Sequence, residues 1–145
     1  MKLTIEIKPE LQEPEIQVRC REITGHLQKV IDLIRERDST LAVQQDGAVK
    51  MLGIGSIYYI ESVDDKTFVY SKGDVYSTEL KLYEAEELLR DTSFVRISKA
   101  CILNIDILDS VRVLMNGKME ASLNNGEKLV INRHYVPDFK KKFGI

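Results

Sequence analysis

The sequence predicts a mainly β fold with short helices, preceded by a small β–α extension, on three observations. Apolar and polar residues alternate in short runs through most of the chain beyond residue 40. The pairs Asp46-Gly47, Asn116-Gly117 and Asn125-Gly126 punctuate those runs, and such pairs accept the positive φ values of tight hairpin turns. Helical spacing of apolar residues, by contrast, surfaces at only a few places.

Taken in order, Lys2 to Ile7 alternates with Leu3, Ile5 and Ile7 on one side and reads as a strand. Pro9 and Pro14 bracket an acidic connector, and Ile16 to Cys20 suggests a second short strand. The period then changes. Leu27, Val30, Ile31 and Ile34 form one helical stripe, with Thr24 as N-cap and an end near Arg37, before Asp38-Ser39. Leu41–Gln45 and Ala48–Leu52 flank Asp46-Gly47 as a hairpin. Ile57–Val63, Thr67–Ser71 and Val75–Thr78 follow as strands, separated by Asp64-Asp65-Lys66 and Lys72-Gly73-Asp74 turns. A helical pattern runs to Leu89, with Glu84, Glu86 and Glu87 outward. From Phe94 onward the chain is a meander of strands, with a tight type I′ turn expected at Asn116-Gly117. Tyr135 to Phe143 predicts a short terminal helix, with Pro137 in its first turn and three lysines near its negative end.

The totals restrict the class. At 145 residues, 43% hydrophobic and 30% charged, the composition is that of a globular domain. No apolar run approaches the ~20 residues of a membrane span, and no signal peptide is evident, so a cytoplasmic location is expected. Cys20 and Cys101 lie far apart in apolar settings and read as reduced core residues rather than a disulfide or zinc site. The net charge of −2 hides an asymmetry. Residues 94–145 carry nine Lys/Arg against five Asp/Glu, or +4, which leaves −6 for the rest. That distribution permits a basic face.

Enzymatic readings fare poorly. Asp64-Asp65 sits in a turn and Glu86-Glu87 on an exposed helical face, so neither forms a sheltered acid–base pair. Cys101 and His134 could supply a nucleophile and base, but the run Ala100–Leu103 reads as buried. No catalytic residue, cofactor, metal or small-molecule substrate is therefore expected. Nucleic-acid binding fits better, and not through a helix, because the helix ending at Leu89 is acidic. The cations stand on turns and strand ends: Lys66, Lys99 and Arg133 beside His134. Arg can bond guanine bidentately and Lys supplies a flexible cation, although each taken singly is more often a plain surface charge.

Four blocks carry a resemblance: IYYIES at 57–62, LKLYEAEELL at 80–89, FVRISKACILNID at 94–106 and NGEKLVINRHYVPDFKKKFG at 125–144. Together and in this order they resemble the LytTR DNA-binding domain of bacterial response regulators. The resemblance covers residues 45–145 and leaves 1–44 as the β–α extension. It implies a LytTR-type multi-sheet β domain that reads successive major grooves of double-stranded DNA with loops rather than a recognition helix.

Carried over residue by residue, the family's His-Arg-Ser turn corresponds to Ser98-Lys99-Ala100, making Lys99 a base reader. Its Ser-Arg near the C-terminal strand corresponds to Asn132-Arg133, making Arg133 the second reader. The hairpin turn after IES corresponds to Lys66-Thr67. Arg96, Lys128 and Lys140–Lys142 are expected to hold phosphates. This chain lacks the His and Arg of the first turn, which bears on its target sequence. Residues 1–44 are too few for a receiver domain, so the chain is similar to stand-alone LytTR regulators. The resemblance implies a homodimer on paired sites and control by a membrane-protein partner. The alternative is a protein-interaction module that keeps the fold but has lost DNA reading.

Overall fold

The computed structural model describes residues 1–37 and 39–145; Asp38, half of the expected helix stop, lies outside them. The first described element is helix α1 (Gly25–Arg37). Thr24 caps it as expected: its hydroxyl accepts from the Leu27 N–H at 3.2 Å. Ten strands follow: β1 (Thr40–Gln45), β2 (Ala48–Gly53), β3 (Ile57–Val63), β4 (Lys66–Ser71), β5 (Val75–Thr78), β6 (Phe94–Ser98), β7 (Cys101–Asn104), β8 (Leu108–Val113), β9 (Met119–Leu123) and β10 (Lys128–Ile131). Helix α2 (Leu82–Leu88) links β5 to β6, and α3 (Val136–Phe143) closes the chain.

The strands form two antiparallel sheets. Seven lie in the order β2-β1-β5-β4-β3-β7-β6 and three in the order β10-β9-β8. Turn chemistry sets much of this register. Asp46 (φ 52) and Gly47 (φ 79) close the β1–β2 hairpin with Gln45 opposite Ala48. Asp64 (φ 50) and Asp65 (φ 63) do the same between Val63 and Lys66. Both are the double positive φ that a two-residue hairpin requires for its twist. The expected turn at Asn116-Gly117 also has positive φ at both residues, 65° and 75°, but its loop is wider. The Leu114 N–H donates to the Lys118 carbonyl at 2.8 Å, enclosing Met115–Gly117.

Two apolar cores cover the two faces of the large sheet. One packs Tyr58, Tyr59, Ile97 and Leu103 against Met119, Ala121, Leu123, Ile131 and Phe139, joining the small sheet and α3 to the large sheet. The other packs Leu41, Val43, Ile60 and Val69 beneath Leu82, Ala85 and Leu89 around α2. Strands β3 and β7 serve both cores, so Ile57–Ile60 and Cys101–Asn104 are buried without alternation. A continuous apolar run is the pattern of a strand covered on two sides. Glu84 steadies α2 by accepting from the Lys81 N–H at 3.0 Å, a favourable charge at a helix start.

Two expectations are corrected here. Residues 1–24 contain no strand, and Leu3, Ile5 and Ile7 stand exposed. Their alternation is strand-like, yet a strand must have a neighbour to satisfy its peptide groups, and in the single chain those residues pair with none. Cys20, read as a core residue, is likewise exposed, and both cysteines are free thiols.

One buried polar side chain fastens the junction between the sheets. Asn104 is fully buried; its amide donates to the Ile57 carbonyl at 2.9 Å. Its oxygen accepts from the Ser93 hydroxyl at 2.9 Å and the Asp106 N–H at 3.0 Å. Asn104→Leu keeps the volume and removes these bonds. We expect a stability loss of about 1–3 kcal/mol for each buried group left unpaired, read as a lower urea midpoint at unchanged slope.

Candidate nucleic-acid interface

The register of the large sheet brings distant turns to one end. Glu61 of β3 stands opposite Cys101 of β7, and the Ser62 N–H donates to the Ala100 carbonyl at 2.8 Å. The β3–β4 tip, with Lys66, therefore lies beside the β6–β7 tip, with Lys99. On the far side of β6 the Asn132 N–H donates to the Ile97 carbonyl at 2.9 Å. That bond seats the segment after β10, including the 3-10 turn Arg133–Tyr135, against the same tip. Ser98, Lys99, Ala100, Asn132, His134 and Tyr135 line a shallow cleft of about 390 Å³. The structure thus brings together Ser98, Lys99, Asn132 and Arg133, residues separated by over thirty positions in the sequence.

Lys99, Arg133 and Lys66 are exposed. Among the described residues no carboxylate forms an ion pair with any of the three. Other cations are engaged: Arg90 with Glu87, Arg112 with Glu120 at 2.9 Å, and Lys128 with Glu120 at 3.9 Å. Lys66 differs from the other two in company, because Asp64 and Asp65 share its tip. Two carboxylates beside one ammonium leave that turn net acidic, which weakens its attraction for phosphate.

Two expected contacts have other work in the structure. Arg96 is held by Glu86 at 2.7 Å, and its Nε donates to the Ser98 carbonyl at 2.8 Å. Its remaining Nη donates to the Lys99 carbonyl. The guanidinium fork is thereby spent on the backbone of the Lys99 turn, so Arg96 is a positioning residue here rather than an open cation. Thr67 is 4% exposed and belongs to the sheet, opposite Ser62 and Thr78. Lys142 also serves the fold: its ammonium donates to the Arg90 and Phe94 carbonyls, both at 2.8 Å. Lys140 and Lys141 are exposed on the same helix.

The site holds no activated nucleophile. Burial, with Glu61 nearby, pushes the Cys101 thiol up to about 12, so it stays protonated near neutrality, and a thiol is a weak nucleophile. Burial and the Glu127 carboxylate likewise raise Tyr59, which stacks on Tyr70 at 4.3 Å. Among the described residues no cluster of His, Cys, Asp and Glu could hold a metal ion. Nor, among those residues, is any helix long and apolar enough to cross a membrane.

This arrangement has known relatives. The family model of the LytTr DNA-binding domain matches residues 47–144. The chain belongs to the LytTR family. The fold agrees: a LytTr DNA-binding domain from Bacillus cereus superposes with a TM-score of 0.69 at 23% identity, covering 74% of this chain and 99% of that one. A Staphylococcus aureus (strain bovine RF122 / ET3-1) protein described as an uncharacterized HTH-type transcriptional regulator is 23% identical over all of this chain and 99% of its own length. The transcriptional regulatory protein LytR of the same strain is 28% identical over 80% of this chain, which spans 47% of that relative. The label of the first relative does not describe this LytTR chain. Five strands separate α1 from α2 and five separate α2 from α3, so no helix-turn-helix occurs among the described residues.

Sequence reasoning gave three contributors no part in the cleft: His134, Tyr135 and Gly117. His134 and Tyr135 complete the cleft wall and meet edge to face at 5.1 Å; their place immediately after Arg133 was the available signal. Gly117, read only as turn-forming, also lies under Arg133. A Cβ at Gly117 would stand 2.8 Å from the Arg133 Cδ. No local pattern announces a contact between a hairpin tip and a residue sixteen positions on. Gly117→Ala must strain a backbone at φ +75° and displace the Arg133 stem. We expect a loss of about 1 kcal/mol or more, with altered side-chain NMR signals for Arg133. Alkylation provides a second check: at pH 8 the folded protein should lose the Cys20 thiol rapidly and the Cys101 thiol only on unfolding. Rapid modification of both would contradict the burial of Cys101.

Proposed function

We propose that this LytTR protein is a sequence-specific transcription regulator that reads the major groove with loops. The observation that carries the reading is the meeting of Lys99 and Arg133, two exposed cations without carboxylate partners among the described residues, on adjoining turns held by the Asn132–Ile97 bond. Arg133 has the fork for guanine O6 and N7, and Lys99 a flexible ammonium for guanine or phosphate. Asn132 makes no side-chain capping bond, which leaves its amide for a base edge. Lys128, Lys140 and Lys141 serve as phosphate contacts that set affinity and salt dependence. Lys66 stays a peripheral contact, while Thr67 and Arg96 support the turns. In this reading residues 45–145 are the DNA-binding domain and residues 1–44 an extension.

A double-stranded DNA target selected from a random pool would test this directly. Arg133→Ala should cost about 1–3 kcal/mol on the selected sequence and relax the preference at one base pair. Lys99→Ala should weaken binding and flatten the dependence on salt. Wild-type affinity in both variants would sink the site assignment, and no selected sequence at all would favour a protein-interaction module on the same fold.

A further inference from the structure

The two ends of the large sheet are treated differently. The β6 edge is covered: its Ile97 carbonyl accepts from the Asn132 N–H, its Phe94 carbonyl from Lys142, and α3 packs along it. Among the described residues the β2 edge pairs with β1 alone. An exposed, unblunted edge is a template for another strand. On its outer face stand Val49 and Met51, at 69% and 64% exposure. The chain carries a matching segment. Lys2–Ile7 has six residues, as β2 has, and its Leu3, Ile5 and Ile7 are 78–86% exposed.

We infer that Lys2–Ile7 of one copy adds as an antiparallel strand to the β2 edge of a second copy, forming a reciprocal homodimer. One register satisfies both faces at once. With Ile5 opposite Met51, Ile7 falls opposite Val49, and Glu6 falls opposite Lys50. Apolar cross-strand pairs and opposite charges each stabilise such a ladder. In the lone chain these charges have only makeshift partners: Glu6 meets its neighbour Lys8 at 3.5 Å, and Lys50 donates to Gln45 at 2.9 Å.

The occupant is a second copy on three grounds. Strand and edge occur on the same chain, so mutual exchange closes as a two-fold dimer and leaves no growing end. Residues 8–24, at roughly 3.3 Å each when extended, are long enough to reach the chain's own edge, yet the lone chain leaves both unpaired. Size also agrees. No described side chain among residues 1–35 is buried, and α1 adds a half-covered stripe of Leu27, Val30, Ile31 and Ile34. Residues 1–23 with β2 approach the roughly 20–30 residues per side of a standard interface. The inference gives the proposed regulator a dimer contact away from its DNA-facing turns.

The test measures the mass of the full chain in solution by light scattering, alongside Ile5→Asp. Ile5 is exposed in the single chain, so that variant should fold normally. We expect a two-chain mass for the wild type and association weakened about tenfold or more in Ile5→Asp. A chain with Ile5→Cys mixed with a chain carrying Met51→Cys, both with Cys20→Ser, should oxidise to a covalent two-chain species. A one-chain wild type, a dimer indifferent to Ile5→Asp, or an intrachain disulfide in the Ile5→Cys/Met51→Cys double variant would each overturn the inference. Binding to a single DNA half-site should survive in Ile5→Asp. Its absence in the wild type would count against DNA reading and leave the dimer standing.

Discussion

Everything at the functional end depends on the buried amide of Asn104. The chain must leave the seven-stranded sheet after β7 and start a second sheet that packs back upon it, and Asn104 is where it leaves. Its side chain ties β3 through Ile57, the segment after α2 through Ser93, and the outgoing turn through Asp106. A buried amide is stabilising only when its partners are placed to receive it. It thus selects one direction of departure where an apolar residue of like size would accept several. That direction decides where β8, β9 and β10 lie, and hence where Arg133 emerges beside Lys99.

The candidate interface is then a product of edges rather than of a helix. A strand end leaves carbonyls and N–H groups that need partners, and here the partners come from neighbouring turns. Ala100 accepts from Ser62, Ile97 from Asn132, and the carbonyls of Ser98 and Lys99 from Arg96. The cost of ordering these loops is met when the sheet folds, so cations on them are presented by a fixed backbone. Preorganisation of that kind raises affinity by lowering the entropy lost on binding.

Legibility followed the range of the interactions. The β1–β2 hairpin, β3, the Thr24 cap and the start of α3 rest on residues a few positions apart, and the sequence displays them. Lys99 and Arg133 were visible as cations on turns, and the LytTR resemblance supplied their pairing. What escaped was long-range or conditional. Arg96 looked like a phosphate contact because nothing local reveals Glu86 or two carbonyls waiting for its fork. Thr67 already read as a strand residue, and only the carried-over Lys66-Thr67 turn made it a contact; the structure buries it within β4. Lys2–Ile7 reads as a strand because its pattern is one, while in the single chain it pairs with no neighbour.

The separation between what holds the turn and what the turn displays has a consequence for specificity. The Ser98-Lys99-Ala100 backbone is fixed largely from outside, by Arg96, Ser62 and the neighbouring Asn132 segment; from within, the Ala100 N–H donates to the Ser98 hydroxyl at 3.2 Å. The outward side chain of Lys99 makes no contact on which the fold relies. In the proposed reading, a substitution at Lys99 therefore changes the preferred base with little loss of stability. Arg133 is less free, because its stem lies against Gly117 and its neighbours His134 and Tyr135 meet edge to face. In that reading the β6–β7 turn is the adjustable half of the proposed reader, and the turn after β10 the half that packing keeps in place.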